Sequence, residues 1–139
     1  MAGGTAGDIR TPWPKGDDSI QLLRFGPFTY TGGTTAQVSN LTLPFSCKPV
    51  YMEITGVSTV AGGGTNHAVL IQDDTASTTK KWFNSTNVAL AALGVRALTI
   101  IDKTVEFFAG AVMSATITPD NNANALSNVM VNVWVKPTH

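Results

Sequence analysis

The sequence predicts an all-β protein, an antiparallel jelly-roll-like β-sandwich of about eight strands that follows an extended N-terminal arm. Three observations support this fold class. Apolar and polar residues alternate with a period of two in several segments, as they do in half-buried strands. Clusters of Gly, Pro, Asn and Asp separate these segments at short intervals. The chain has 139 residues, about the length of one domain, and it shows no internal repeat.

The N-terminal arm is predicted over residues 1–18, and the sandwich domain over residues 19–139. The arm contains four glycines and two prolines and has neither a strand period nor a helix period. Such a segment cannot build a core of its own, so we expect it to dock onto a partner chain rather than onto its own domain. The candidate contact residues are Asp8, Ile9, Arg10, Trp13 and Pro14.

The first strands of the domain are predicted between turn residues. An irregular apolar stretch over residues 20–30 is broken at Gly26 and Pro27, and a second stretch covers residues 36–43. The clearest strand of this part covers residues 50–55. Its alternation predicts that one apolar set and one mixed set occupy opposite faces. The apolar set is Val50, Met52 and Ile54, and the other is Tyr51, Glu53 and Thr55.

The middle of the domain begins with a Gly-rich loop over residues 61–66. Residues 68–71 are apolar on both faces, which is typical of a central strand. A turn over residues 73–78 leads to a short strand over residues 80–83. Residues 84–101 fit two interpretations, a helix or a pair of strands. A glycine in the middle and an alternating end favour two strands, or one strand and an irregular link.

The last part of the chain carries the strongest strand pattern. Alternation over residues 111–118 is followed by a polar loop over residues 119–124. A row of four valines then begins at Val129 and ends at Val135, with Trp134 and other residues on the opposite face. Two strands around a polar loop are typical of an antiparallel hairpin.

Net charge and hydropathy exclude two kinds of partner. Nine Lys and Arg residues balance nine Asp and Glu residues, whereas nucleic-acid binding leaves a basic footprint. No run approaches the ~18 apolar residues that a membrane span needs, and the N-terminus lacks the pattern of a signal peptide. We therefore expect no nucleic-acid partner, no membrane partner and synthesis in a reducing cytoplasm.

Low charge density predicts self-association. Only 13% of the residues are charged, about half the usual fraction of ~25%. Interface centres are depleted of charge, and charge is the common guard of sheet edges. The chain is therefore expected to form a homo-oligomer or to take a place in a larger assembly.

Residues with catalytic or metal-binding chemistry are few. Cys47 follows an apolar stretch and is predicted to be a small buried hydrophobe, and His67 is the only internal histidine. This set cannot supply a zinc site within the chain, and it makes a catalytic triad improbable. Asp73, Asp74 and Asp120 are interpreted as turn residues rather than as calcium ligands. We expect no catalytic residue, no metal and no cofactor, and so no enzyme.

The region from Val50 to Val135 resembles the small jelly-roll decoration, or cement, proteins of tailed-bacteriophage capsids. Four segments carry the resemblance. They are the strand Val50–Thr55 before a Gly-rich loop, the strand Ala68–Gln72, the entry Phe107–Met113 to a Thr/Ala strand, and the valine-rich strand Val129–Val135.

The resemblance implies a structural function. Proteins of that family bind the outer surface of the phage head, bridge subunits of the major capsid protein and commonly form trimers. An N-terminal arm often reaches over the capsid protein, and residues 1–18 match that arm in position and composition. The expected location is therefore the outer surface of the virion.

A second hypothesis from another class is a carbohydrate-binding β-sandwich module of a phage fibre or tail tip. This hypothesis requires an exposed aromatic ring on which a sugar can stack. The candidate platform is Trp82, with polar groups from Asp73, Asp74 and Asn84. Exposure of the tryptophan side chain distinguishes the two hypotheses, because a cement protein hides its aromatic residues in contacts.

Overall fold

The computed structural model describes residues 19–30, 35–60, 66–75, 80–89, 95–119 and 124–138. These residues form eight strands in two four-stranded antiparallel sheets and contain no helix, which confirms the predicted all-β sandwich. The strands are β1 (Gln21–Tyr30), β2 (Gln37–Thr42), β3 (Cys47–Val60), β4 (Asn66–Asp73), β5 (Lys80–Ala89), β6 (Val95–Leu98), β7 (Val112–Pro119) and β8 (Asn124–Pro137). In this described part, no helix is long and apolar enough to cross a membrane.

The strand order is that of a jelly roll. Sheet A has the order β1-β8-β3-β6, and sheet B has the order β2-β7-β4-β5. Each strand of the first half pairs with its counterpart from the second half: β1 with β8, β2 with β7, β3 with β6 and β4 with β5. The eight strands therefore pair like one long hairpin that has been rolled into two packed sheets, which is the double-sheet arrangement of jelly rolls.

The core lies between the inner faces of the two sheets. The valine row of β8 is buried as predicted, with Val131, Val133 and Val135 fully inaccessible to solvent. From sheet B, Met113 and Ile117 of β7 are equally inaccessible. Apolar area removed from water contributes about 25 cal/mol per Å², so this shared interior supplies most of the stabilisation of the fold.

The predicted hairpin between the last two strands is wrong. β7 pairs with β2 and β4, whereas β8 pairs with β1 and β3, so the two strands lie in opposite sheets. Each strand has one fully apolar face. Both faces are buried because the two strands face each other across the core instead of pairing within one sheet. The alternation located both strands correctly but carried no information about their partners.

The alternation predicted for residues 50–55 fails at its first position. A register shift separates Pro49, which pairs with Val135, from Tyr51, which pairs with Trp134. This bulge leaves Pro49 buried and turns both Val50 and Tyr51 outward. A bulge adds one residue to a strand and re-aims the side chains beyond it.

The ambiguous stretch over residues 84–101 contains strands. β5 continues to Ala89, and β6 covers Val95–Leu98, in agreement with the favoured interpretation. The central position predicted for residues 68–71 is also confirmed, because β4 lies between β7 and β5.

The expected break at Gly26 is a local irregularity inside β1 rather than the end of a strand. The Gly26–Pro27 peptide bond is cis, and Gly26 has a φ of 115°. A Cβ atom at this position would lie 2.7 Å from the carbonyl oxygen of Val129. Only glycine fits there, because both the positive φ and the close backbone exclude a side chain.

Candidate functional site

Aromatic and aliphatic side chains form a row across the outer face of sheet A. In the strand register, Leu22 of β1 lies opposite Trp134 of β8, which lies opposite Tyr51 of β3. Leu22 is 44% exposed and Tyr51 is 42% exposed, while Trp134 is half-buried between them. The rings of Tyr51 and Trp134 have centroids 5.4 Å apart and are tilted by 47°. We call these three residues the aromatic row.

A hydrogen-bonded polar row runs beside the aromatic row, two residues further along each strand. The Arg24 Nε donates to Asn132 Oδ1 at 3.1 Å, and the Asn132 Nδ2 donates to Glu53 Oε2 at 3.2 Å. Asn132 is only 4% exposed, so both of its bonds are shielded from water. Bonds to charged partners are stronger than neutral ones, and they hold the guanidinium and the carboxylate in fixed positions.

Two lysines flank the other side of the aromatic row. Lys48 of β3 and Lys136 of β8 are directly opposite in the register. Their neighbours Cys47, Pro49 and Val135 are buried, so alternation places both lysines on the outer face. Two cationic side chains therefore lie next to each other at this end of the face.

An open hollow of about 190 Å³ adjoins the aromatic row at Tyr51. Its walls come from β3, from the end of β6 and from the segment that follows β6. The lining residues are Val50, Tyr51, Leu98, Thr99, Ile100 and Lys103. The hollow extends the exposed apolar surface towards the β6 edge of sheet A.

Trp82, the candidate sugar platform, is fully buried, so the expectation of an exposed ring is wrong. Its ring stacks on Phe107 with centroids 3.9 Å apart and planes 5° from parallel, and its Nε1 donates to the Val105 carbonyl at 3.0 Å. The cause is a register shift between β4 and β5. Ile71 pairs with Phe83 and the next residue of β4 pairs with Lys81, so Trp82 has no partner residue in the register. Bulging sends two consecutive aromatic side chains inward.

The polar partners proposed for that platform are divided between a turn and a strand. Asp73 is buried and accepts hydrogen bonds from the backbone N of Thr75 at 2.9 Å and from its Oγ1 at 2.6 Å. Asp74 accepts from Gln72 Nε2 at 2.8 Å. Asn84 is exposed on β5. The bonds of Asp73 form an Asx turn, in agreement with its interpretation as a turn residue.

The thiol and the imidazole are both in the interior. Cys47 is fully buried, as predicted, and burial raises the pKa of its thiol to about 12, with a further contribution from the negative charge of Glu106. The reactive form of a cysteine is the thiolate, so this residue is a packing residue at neutral pH. His67 is also fully buried. Among the described residues, no three His, Cys, Asp or Glu side chains group as metal ligands would.

Strand β2 is a terminal strand of sheet B, and its own six residues include none of the usual edge guards. It has the sequence Gln-Val-Ser-Asn-Leu-Thr, without charge or proline, and it pairs with β7 without a register shift. Val38 of this strand is 56% exposed. By contrast, β1 carries Arg24 and Pro27, β5 begins with two lysines, and β6 is four residues long and carries Arg96.

The arm residues proposed to contact a partner lie outside the described residues. Asp8, Ile9, Arg10, Trp13 and Pro14 therefore remain sequence-based predictions. The outer face of sheet A was not among the predicted sites. Alternation alone predicts that Tyr51 and Glu53 share one strand face and that Asn132 and Trp134 share another. Only the register of β1, β8 and β3 brings these side chains together on one face of sheet A.

The architecture defines this chain as a jelly-roll β-sandwich with a specialised outer surface. No protein-family model matches the sequence, and a search of curated proteins finds no similar chain. The edges and outer faces of its two sheets are therefore the features that indicate its function.

Proposed function

We propose that this chain is a structural subunit, a decoration or cement protein that binds the outer surface of a phage head and bridges subunits of the major capsid protein. The observation that carries the proposal is the unguarded edge of β2 on a jelly-roll body. Jelly rolls occur in both viral capsid domains and lectins, so the fold by itself favours neither class.

An open edge suits assembly because it presents unpaired backbone donors and acceptors. Monomeric β-proteins guard such edges with charge, proline, bulges or short strands. The edges formed by β1, β5 and β6 each carry at least one of these guards, and β2 carries none. Strand addition at β2 would join this body to a neighbouring subunit through main-chain hydrogen bonds.

The outer face of sheet B supports close packing between subunits. The outward side chains of β7 include Thr116 and Thr118, which are small, uncharged and half-buried. Such a face can approach another protein without the cost of burying a charge. A homo-oligomer, with a trimer as the favoured form, would repeat these contacts around the shell.

Residues 1–18 would hold the subunit in the assembly by binding a partner chain. Linked contacts raise the effective concentration of each other, so several weak contacts give tight retention. In this proposal Ile9 and Trp13 are the apolar anchors and Asp8, Arg10 and Pro14 are neighbouring contacts. The subunit is made in the host cytoplasm and resides on the outside of the virion.

Co-sedimentation with purified heads tests the proposal. The heads come from a phage whose genome encodes this chain and are prepared without it. The full chain is expected to pellet with them, and the double variant Ile9→Ala/Trp13→Ala is expected to stay in the supernatant while its circular dichroism is unchanged. The variant Val38→Lys/Asn40→Lys is expected to bind weakly and to show a lower oligomer mass in light scattering.

A control places one added lysine on another edge. Val95→Lys on β6 changes an exposed residue of sheet A and is expected to bind heads like the unmodified chain. The proposal is overturned if the full chain does not bind heads, or if both double variants bind as tightly as it does.

A further inference from the structure

The outer face of sheet A combines three kinds of chemistry in successive rows, and the edge-based function above uses none of them. The lysine pair, the aromatic row and the polar row follow one another along β8 as Lys136, Trp134 and Asn132. Outward residues of one strand are about 7 Å apart, because the rise is 3.3–3.4 Å per residue. One six-membered sugar ring with its substituents can therefore contact two adjacent rows.

Ring faces in the aromatic row are the first requirement for binding a sugar. Tyr51 is 42% exposed, and its ring is tilted by 47° against that of Trp134. Aromatic faces carry partial negative charge and attract the weakly positive C–H groups of a pyranose. Each ring also has a polar tip, which suits a surface that stays partly wet.

Fixed hydrogen-bonding groups are the second requirement, and the polar row supplies them. The side-chain oxygen of Asn132 accepts a hydrogen bond from Arg24, and one of its side-chain N–H groups donates to Glu53. A guanidinium has five N–H donors, so the Nε bond of Arg24 leaves four for a ligand. The second oxygen of Glu53 is an acceptor on the same row. Asn132 is thus a positioning residue that orients one donor group and one acceptor group.

Charge then selects the class of sugar. The three rows carry Arg24, Lys48 and Lys136 against the single carboxylate of Glu53, in a chain whose net charge is zero. An anion close to these cationic side chains gains a favourable Coulomb energy. A carboxylate, sulfate or phosphate substituent on a sugar would supply that anion at the distance of one row from the rings.

We propose that the outer face of sheet A binds an acidic oligosaccharide. A pyranose ring lies against Tyr51 and Trp134 and bonds through its hydroxyl groups to Arg24 and Glu53, while an acidic substituent on the adjoining sugar of the oligosaccharide lies at the lysine pair. A single-stranded nucleic acid also combines stacking with phosphate contacts, but the ordered carboxylate of Glu53 would repel its backbone.

A glycan array probed with the full chain is the first test. The array holds uronate, sialylated, sulfated and phosphorylated oligosaccharides beside their neutral counterparts. At least one acidic oligosaccharide is expected to bind, and its neutral counterpart at least about tenfold more weakly. Binding of that probe should weaken as salt is raised, because the charge contribution is screened.

Variants then locate the site on the face. Tyr51→Ala and Lys48→Ala are each expected to weaken binding of the selected oligosaccharide about tenfold, a loss of about 1.4 kcal/mol. The matched controls are Phe108→Ala, which changes an exposed aromatic residue outside the three rows, and Lys81→Ala, which changes a lysine of β5 in sheet B. Both controls should bind like the unmodified chain. Ligand-induced quenching of tryptophan fluorescence should disappear in Trp134→Phe.

Three results would overturn the inference. They are the absence of binding to every acidic oligosaccharide, equal binding of the neutral counterpart, and equal losses in the controls and in the variants of the face. Equal or tighter binding of a single-stranded oligonucleotide would assign the face to nucleic acid instead. Head binding is measured separately, so a failure here leaves the structural function standing, and a failure there leaves this site standing.

Discussion

The outer faces of sheets A and B differ in charge and in side-chain size, although the inner faces are alike. Sheet A presents Tyr51 and Trp134 between charged rows. Sheet B presents the half-buried Thr116 and Thr118 on β7. Both inner faces consist mostly of buried apolar residues such as Val133 and Met113, because each must exclude water from the same core.

The difference shows which positions of a sandwich are free to specialise. An inward residue is constrained by its packing partners on the opposite sheet. An outward residue is constrained only by its neighbours on the same face. One jelly roll can therefore carry an assembly surface on one sheet and a ligand surface on the other without a change in its core.

The largest expected effect compares one tryptophan from each sheet. Trp82→Ala should lower the free energy of unfolding by about 3–5 kcal/mol, because it removes a fully buried ring, its stacking on Phe107 and its bond to Val105. Trp134→Ala should cost about 1–2 kcal/mol, since its ring is half-buried. Urea denaturation measures both. Equal losses would show that the outer face of sheet A is as important to stability as the core.

The second comparison uses one amide–carboxylate hydrogen bond from each sheet. Asn132→Ala should cost about 1–3 kcal/mol, because it leaves two charged groups without a shielded partner. Gln72→Ala removes an exposed bond to Asp74 and should stay within about 0.5 kcal/mol. Thermal unfolding of both variants provides the measurement. A loss for Gln72→Ala that matches the loss for Asn132→Ala would contradict the rigid polar row.

The smallest expected effect concerns the shared interior and appears at alkaline pH. Because the folded pKa of Cys47 is raised to about 12 from its ordinary value of 9.0, the unfolded chain loses the thiol proton first. Stability from this thiol is therefore present below pH 9 and falls as the pH rises towards 12, by about 1.4 kcal/mol between pH 8 and pH 10.

A substitution isolates that thiol from the other groups that titrate in the same range. Urea midpoints at pH 8 and pH 10 should differ less in Cys47→Ala than in the unmodified chain. Identical pH dependence in the two proteins would mean that the thiol is not shielded. Slow alkylation by iodoacetamide in the folded state, and fast alkylation in urea, is the companion observation.

Most of the strand positions could be predicted from the alternation, because the period of two is a property of consecutive residues. The valine row of β8 and the apolar row of β7 are the best cases. Bulges could not be predicted, since they depend on which partner residue is available across the pair. Val50 turned outward and Trp82 turned inward for this reason, and the predicted sugar platform was lost with the second of them.

By itself, the sequence determined that this protein is all-β, that it has about eight strands and that its charge is low and balanced. These follow from local pattern and composition. Only the tertiary structure decided that β7 and β8 lie in different sheets and that Arg24 meets Asn132, a residue 108 positions away. Such pairings depend on the burial of whole faces, and no segment of the chain carries that information alone.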